Sequence, residues 1–256
     1  MTDSAVWTRV GSLVRLNTTL LLREPGPVIS RLLMPLILIA VLHPLYRAAL
    51  SGSGAAAGTT QIVAGMLVMF SLLALSIVGS AILTERVWRT WDRLRVTPAA
   101  AWELIAGKVV PSFVILVLQQ VLILAFGALL FGLPVRDILL LAAAVGLWVV
   151  TLLCIGTALG TLARSHSELA VLYDIGGLAL TVLGGALVPL SLMPDWARMA
   201  APLSPGYWAM SAFRYALEGD VTAMMRANGV LLSLAVVFGA VASWRIRRGW
   251  GRSHLL

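Results

Sequence analysis

The chain has 256 residues, of which 60% are hydrophobic and only 12% are charged. So much apolar surface with so little polar surface to cover it excludes a water-soluble enzyme, a disordered regulator and a disulfide-stapled secreted domain, and leaves an integral membrane protein. The net charge of +8 comes from basic residues that are all arginine except Lys108; they fit loops facing the cytoplasm and its anionic lipids, and no soluble basic module points to nucleic acid.

The elements follow in chain order. No cleavable leader is expected, because Arg9, Arg15 and Arg23 interrupt the N-terminal stretch. Residues 6–23 predict an amphipathic helix lying in the membrane interface. Val6, Val10, Leu13, Val14 and Leu21 recur at helical spacing with Trp7 beside them, and Arg9, Ser12, Arg15 and Thr19 take the other face. A disordered leader is the competing reading. Glu24-Pro25-Gly26-Pro27 then turns the chain into the membrane.

A spanning helix needs about 20 mostly apolar residues. Six segments meet that length: 28–47, 61–83, 109–131, 138–163, 169–192 and 228–244. The first is the weakest. Its charge-free core, Leu32–Tyr46, is 15 residues with Pro35, His43 and Pro44 inside, so it must extend back to Val28, tilt, or thin the bilayer. The fifth carries Asp174 in its first turns. Ala48–Thr60 reads as a flexible external loop, Gly132-Leu133-Pro134 as a tight external turn and Arg164–Glu168 as a short internal one.

Two connections are long. In the first, residues 85–97 are dominated by good helix formers. Trp88, Trp91 and Leu94 fall near one face, and Arg86, Arg89 and Arg93 gather on another. Thr97-Pro98 suits the N-cap and first position of the next helix. Periodicity leaves two readings level: a docking surface for a protein partner, where Trp and Arg are enriched, or a lipid-anchored basic loop. The second, 193–227, is too apolar for a solvated loop and too broken by proline for a span. Short external helices that dip into the outer leaflet and return would satisfy its backbone; a small external subdomain is the alternative.

The chemistry of a self-contained enzyme or ion-driven transporter is absent from the sequence. Gly107-Lys108 is followed by Val109, so there is no P-loop, and neither His-Glu-x-x-His nor a paired-cysteine metal motif occurs. His43, His166 and His254 are scattered, and Cys154 lies alone in an apolar run. Ser71 and Ser76 have no basic side chain at matching depth to activate them. Within the spans Asp174 is the one acidic residue, near the cytoplasmic end, with Gln119 and Gln120 as neutral polar groups. Asp174 either faces a vestibule and touches substrate, or caps its turn or pairs with an internal arginine. Energy must come from elsewhere, or the protein is passive.

The order of these features resembles the membrane subunits of type-2 ABC exporters. Glu85-Arg86-x-x-x-Thr90-x-Asp92-Arg93-Leu94-Arg95-x-Thr97-Pro98 is similar to the E-R-x-x-G-T-x-E-R-L-R-x-[TS]-P pattern of the drug-resistance branch, with Arg89 standing where that branch usually has glycine. Gly184-Gly185-x-x-x-Pro189, Met193-Pro194-x-Trp196 and Leu203-Ser204-Pro205 resemble the run that leads into that family's external re-entrant helices.

The resemblance implies an all-α membrane fold of six spans with an N-terminal interfacial helix, a coupling helix at 85–97 and re-entrant helices at 193–227. It implies that Glu85, Arg86, Trp88, Trp91, Asp92, Arg93 and Leu94 contact a separate ABC ATPase subunit. Two ATPase copies would hold the ATP and Mg, with no cofactor in this chain itself. A second permease copy, identical or paralogous, would complete a conduit lined by the second and fifth spans, with Met69, Phe70, Asp174, Gly177 and Gly184 along it. The glycines Gly65, Gly79, Gly176, Gly177, Gly184 and Gly185 would allow close packing or a substrate portal. Few charges along such a path favour export of hydrophobic or amphiphilic compounds, with a lipid-linked polysaccharide as the alternative cargo. A stand-alone membrane enzyme or secondary transporter is the reading from another class.

Fourteen basic residues fall on the side that carries both termini and five on the other, which sets the termini in the cytoplasm of a bacterial cell. A reporter enzyme active only outside the cytoplasm, fused after Leu256, is expected to be inactive; activity there would invert the topology.

Overall fold

The computed structural model describes residues 3–23, 25–54, 56–87 and 101–247. Among these, the regular elements are all helical, and six helices are long and apolar enough to cross a membrane: Val28–Ala49, Ala57–Thr84, Ala106–Phe131, Ile138–Leu162, His166–Leu183 and Val221–Ile246.

The N-terminal segment is helix α1 (Asp3–Arg23), followed by α2 (Pro25–Ala49), which carries Pro35 and Pro44 within it. The second span is α3 (Ala57–Leu73) and α4 (Leu75–Val87), separated by a break at Ala74. The third is α5 (Ala101–Phe131) and the fourth α6 (Ile138–Leu162), whose first turn is capped by the Asp137 carboxylate accepting from Leu139 N at 2.8 Å and Leu140 N at 3.2 Å.

The fifth span is composite. It begins as α7 (His166–Val171), widens into a π-helical turn at Leu172–Gly176 and resumes as α8 (Gly177–Leu183). Ser165 caps α7, accepting from Glu168 N at 3.1 Å, while the Glu168 carboxylate accepts from Arg164 N at 2.8 Å, a reciprocal arrangement close to a capping box. Two shorter helices, α9 (Asp195–Ala200) and α10 (Pro205–Glu218), precede the last, α11 (Val221–Arg247).

Three differences from the sequence reading bear on the architecture. The fifth span closes at Leu183 and not at 192, because Gly185 takes φ +78° and the chain turns. Ala186 N donates to Thr181 O at 3.1 Å and Gly185 N to Val182 O at 3.0 Å, the paired bonds of a Schellman ending. The last span begins at Val221, one full turn before Arg226, so 221–227 belong to α11 and not to the external region. Its start is fixed by the Asp220 carboxylate, which accepts from Ala223 N at 2.9 Å. Another Schellman ending at Gly219, φ +80°, closes α10 just before it.

The third difference concerns α1. Arg9, expected on the outer polar face, points into the protein and makes a two-pronged ion pair with Glu103 at 2.9 and 3.2 Å. Glu103 is only 2% exposed, and the guanidinium is what makes a buried carboxylate tolerable there. The pair also holds the Arg9 pKa above its usual value, chiefly through the side-chain hydrogen bond to Glu103. One turn on, Leu13 packs directly on Gly107, and Asn17 donates to Gly107 O at 3.1 Å. The steps from Arg9 to Leu13 and from Glu103 to Gly107 run in the same direction, so α1 lies alongside the base of α5. Trp7, Leu16, Leu20 and Leu22 stay exposed.

Higher up, Gln119 on α5 donates to Arg31 O at 3.4 Å and Phe131 stacks on His43 with ring centroids 4.3 Å apart. Helices α1 and α2 thus share the length of α5, the first covering its base and the second its upper half. That division explains why the first span reads as short.

The centre of the bundle is α3. Ile62, Val63, Ala64, Leu67 and Val68 are all sealed, with α2, α5, α8 and α10 packed around them. Helix α6 packs on α4, α10 and α11. Several buried polar groups are paired: Trp148 Nε1 donates to Ser71 Oγ at 2.8 Å, Ser71 Oγ to Leu67 O at 2.6 Å, and Thr151 Oγ1 to Leu231 O at 3.2 Å, whereas the buried Gln120 amide has no partner among the described residues. His43 and Thr59 hydrogen-bond at 2.9 Å. Cys154 faces Gly239 of the last span.

Because Arg9 and Glu103 hold each other, reversing one charge leaves two like charges in contact. Glu103→Arg is expected to lower the Tm of the purified protein. Adding Arg9→Glu should restore most of it, as read by thermal unfolding in detergent.

Candidate functional site: the seam between the second and fifth spans

The residues expected along a conduit fall on the second and fifth spans, and the structure zips these two spans together. Towards the α4 end of the second span, Tyr173 fills the notch at Gly79: a side-chain carbon there would stand 2.7 Å from Tyr173 Cζ. The phenol also donates to Gly156 O of α6 at 3.3 Å, and a carbon placed on Gly160 would lie 2.9 Å from the Gly79 backbone. Midway, Gly177 lies against Leu72 O, with 3.7 Å to a carbon placed on it. At the outer end Gly65 meets Ala186 O, and Gln61 donates to Gly185 O at 2.8 Å. Tyr46 of α2 donates to Leu187 O and locks the same turn from the other side.

The external segment is seated on this turn. A carbon on Gly184 would lie 2.7 Å from Tyr207 N. Ser204 Oγ donates to Leu180 O at 2.6 Å while accepting from Gly206 N at 3.0 Å as the cap of α10. From there α10 runs outward with Ala209, Met210, Ala212, Phe213 and Ala216 buried against the bundle. Arg136, in the turn after α5, donates to Glu218 O at 3.2 Å near its far end. Trp196, Met199 and Leu203 project outward on α9 and the turn after it.

The expected conduit residues divide accordingly. Phe70, Gly177 and Gly184 are buried in the packing of the seam, and Met69 is half-buried beside it. Only Asp174 is exposed, in the π-helical turn, with Val171 and Leu178 exposed on either side of it. Within one chain the seam is closed, so any path lies on its open side. Of the expected partner contacts, Glu85 and Arg86 fall in the last turn of α4, whereas Trp88, Trp91, Asp92, Arg93 and Leu94 lie outside the described residues.

Asp174 does not cap a helix. Its carboxylate makes no hydrogen bond or ion pair with a described residue. Arg31 itself, counted by sequence among the loop arginines, lies inside the first span and donates from Nη2 to Ser76 Oγ at 2.8 Å. Ser76 sits two residues beyond the break in the second span and donates in turn to Leu73 O at 3.0 Å. Arg31, Ser76 and Tyr173 are the site residues that sequence reasoning missed. The signal available for Arg31 was its position three residues inside a helix that needed Val28 to reach spanning length.

Known proteins agree with this architecture. A family model for ABC-2 type transporters matches residues 8–217. Linearmycin resistance permease protein LnrN of Bacillus subtilis (strain 168) is 25% identical over 184 residues, which is 71% of this chain and 48% of that protein. The probable multidrug ABC transporter permease YbhR of Escherichia coli (strain K12) is 23% identical over 56% of this chain and 40% of its own length. The inner membrane transport permease YadH of the same strain is 26% identical over 75% of this chain and 76% of its own. The chain thus spans about half, or less, of the length of LnrN and YbhR. Permeases of this kind form the membrane part of ABC transporters, work with ABC ATPase partners and carry no ATPase site of their own. With a family match across most of its length and six helices able to span the bilayer, this chain belongs to the ABC-2 type transporter family as a multi-pass membrane permease.

Proposed function

We propose that this chain is the transmembrane subunit of an ATP-driven exporter of hydrophobic or amphiphilic compounds in the bacterial inner membrane. In this reading both termini face the cytoplasm, two permease copies form the conduit, and two separate ATPase subunits bind ATP and Mg. The observation that carries it is the closed seam with one exposed carboxylate at its open side. A path at that surface is walled by a single chain on one side only, so a second copy is needed to complete it. The names of LnrN and YbhR, a linearmycin resistance permease and a probable multidrug permease, support drug-like amphiphiles as cargo.

Force has a short route in this arrangement. Residues 85–97 lie between α4 and α5, so a push from the ATPase partner on Trp88, Trp91, Asp92, Arg93 and Leu94 enters both helices directly. Helix α4 is separated from the sealed α3 by the break at Ala74, which lets its cytoplasmic end pivot while the outer half stays packed. It would carry Gly79, and with it Tyr173 and the fifth span. The base of α5 carries α1 along through Arg9 and Glu103. Closing of the ATPase pair would in this way tilt the two copies and open the path outward. The external segment, seated on the outer end of the same seam, would dip into the outer leaflet and move with it.

The test is a double substitution at the partner surface. In proteoliposomes containing the permease and its ATPase partner, Arg93→Glu with Leu94→Asp is expected to cut ATP-dependent export and substrate-stimulated hydrolysis at least about tenfold, the loss that 1.4 kcal/mol of coupling would give. Membrane insertion should be unchanged. Export at the wild-type rate would reject the assignment.

A further inference from the structure

Charged groups inside the hydrocarbon region are costly, and they persist where they face protein, water or a ligand. This chain holds an opposite pair there. Ser76 is eight residues inside the cytoplasmic end of the second candidate span at Thr84, and Asp174 eight residues inside the fifth at His166. At about 1.5 Å per residue, both lie about 12 Å into the membrane. Arg31 reaches this level from the first span through its bond to Ser76.

Three features set these groups apart from a structural ion pair. The Asp174 carboxylate makes no hydrogen bond or ion pair with any described residue, and it is exposed. Arg31 is half-buried and spends one donor on Ser76; its other donors are not among the buried unpartnered atoms, so they reach the surface of the chain. Third, the backbone at Asp174 is a π-helical turn, a distortion concentrated at functional positions. Asp174 adjoins Tyr173, which fills the notch at Gly79 about one turn from Ser76, so the two charges flank one level of the seam without a direct ion pair among the described residues.

A ligand with one charge fits that gap poorly. A lone cation on Asp174 would lie beside the Arg31 guanidinium, and a lone anion on Arg31 beside the Asp174 carboxylate. A ligand with both charges matches every group, and its own net charge of zero eases its entry into the membrane. We propose that Arg31 and Asp174 form a subsite for the headgroup of a zwitterionic amphiphile, its ammonium on Asp174 and its phosphate or carboxylate on Arg31. Ser76 holds the guanidinium in position, and the exposed apolar residues Val171, Ile175 and Leu178 flank Asp174 for the tail. The inference rests on the export reading and names the class of cargo, or of resident lipid, that this site takes.

The test is native mass spectrometry of the full chain in neutral detergent, titrated with three amphiphiles of matched chain length: lysophosphatidylethanolamine, lysophosphatidic acid and an alkylammonium. The wild type is expected to bind the zwitterion about tenfold more tightly than either singly charged compound, a difference of 1.4 kcal/mol. Asp174→Asn should erase the advantage over lysophosphatidic acid. Arg31→Gln should erase the advantage over the alkylammonium, and Arg31→Lys should keep it. A wild type without preference, or a preference unchanged in Asp174→Asn and Arg31→Gln, overturns the subsite. So does a change of oligomeric state in Asp174→Asn with its headgroup preference intact, which would make Asp174 a contact between copies. ATP-driven movement of lysophosphatidylethanolamine in proteoliposomes then identifies the zwitterion as cargo. Binding with the stated preference but without ATP-driven movement identifies a resident lipid, supports the subsite and counts against the export reading alone.

Discussion

The fit of Tyr173 into the notch at Gly79 is the contact on which the rest of the bundle depends. A phenol can approach a neighbouring helix backbone this closely only where no side chain stands. Gly79 supplies that space, and Gly160 of α6 closes against its far side. In a bilayer there is no hydrophobic drive to bring helices together, because lipid tails are as apolar as leucine; close packing at small residues and satisfied polar groups must do so. One notch therefore ties the second, fourth and fifth spans at a single level. The contacts of Gly177 with Leu72 and of Gly65 with Ala186 extend the same closure outward.

That closure decides where function can reside. With the seam shut, the buried Phe70, Gly177 and Gly184 serve packing in this state, and the exposed Asp174 is left as the polar group presented on its open side. The break at Ala74 and the π-helical turn at Leu172–Gly176 stand on either side of the same seam. Both depart from regular helix in the spans that flank the proposed path. Helix α3 is sealed within the bundle, while its continuation α4 runs towards the segment proposed to meet the ATPase.

Much of this could be read from the chain. Apolar runs located all six spans, since hydrocarbon thickness sets a length that few other structures need. The order of the motifs pointed to the permease family that the family match then showed. The errors have a common origin. The fifth span was read too long and the last too short because apolar composition continues past Gly185 and Arg226 interrupts it, while helix ends are set by caps: Gly185 with φ +78° and the Asp220 carboxylate. Arg9 was placed on the solvent face because its partner, Glu103, is 94 residues away in sequence.

What the sequence determined by itself was composition and period: a membrane protein, all helical, with spans at known places and no catalytic machinery of its own. Those properties depend on neighbours along the chain, and hydropathy registers them. Only the tertiary structure decided that Tyr173 meets Gly79, that Arg31 of the first span reaches Ser76 and that Asp174 stays exposed. Both contacts join residues 45 or more positions apart, Arg31 to Ser76 being the shorter step. Pairings of that kind follow from how helix surfaces interlock, which no local pattern in the sequence encodes.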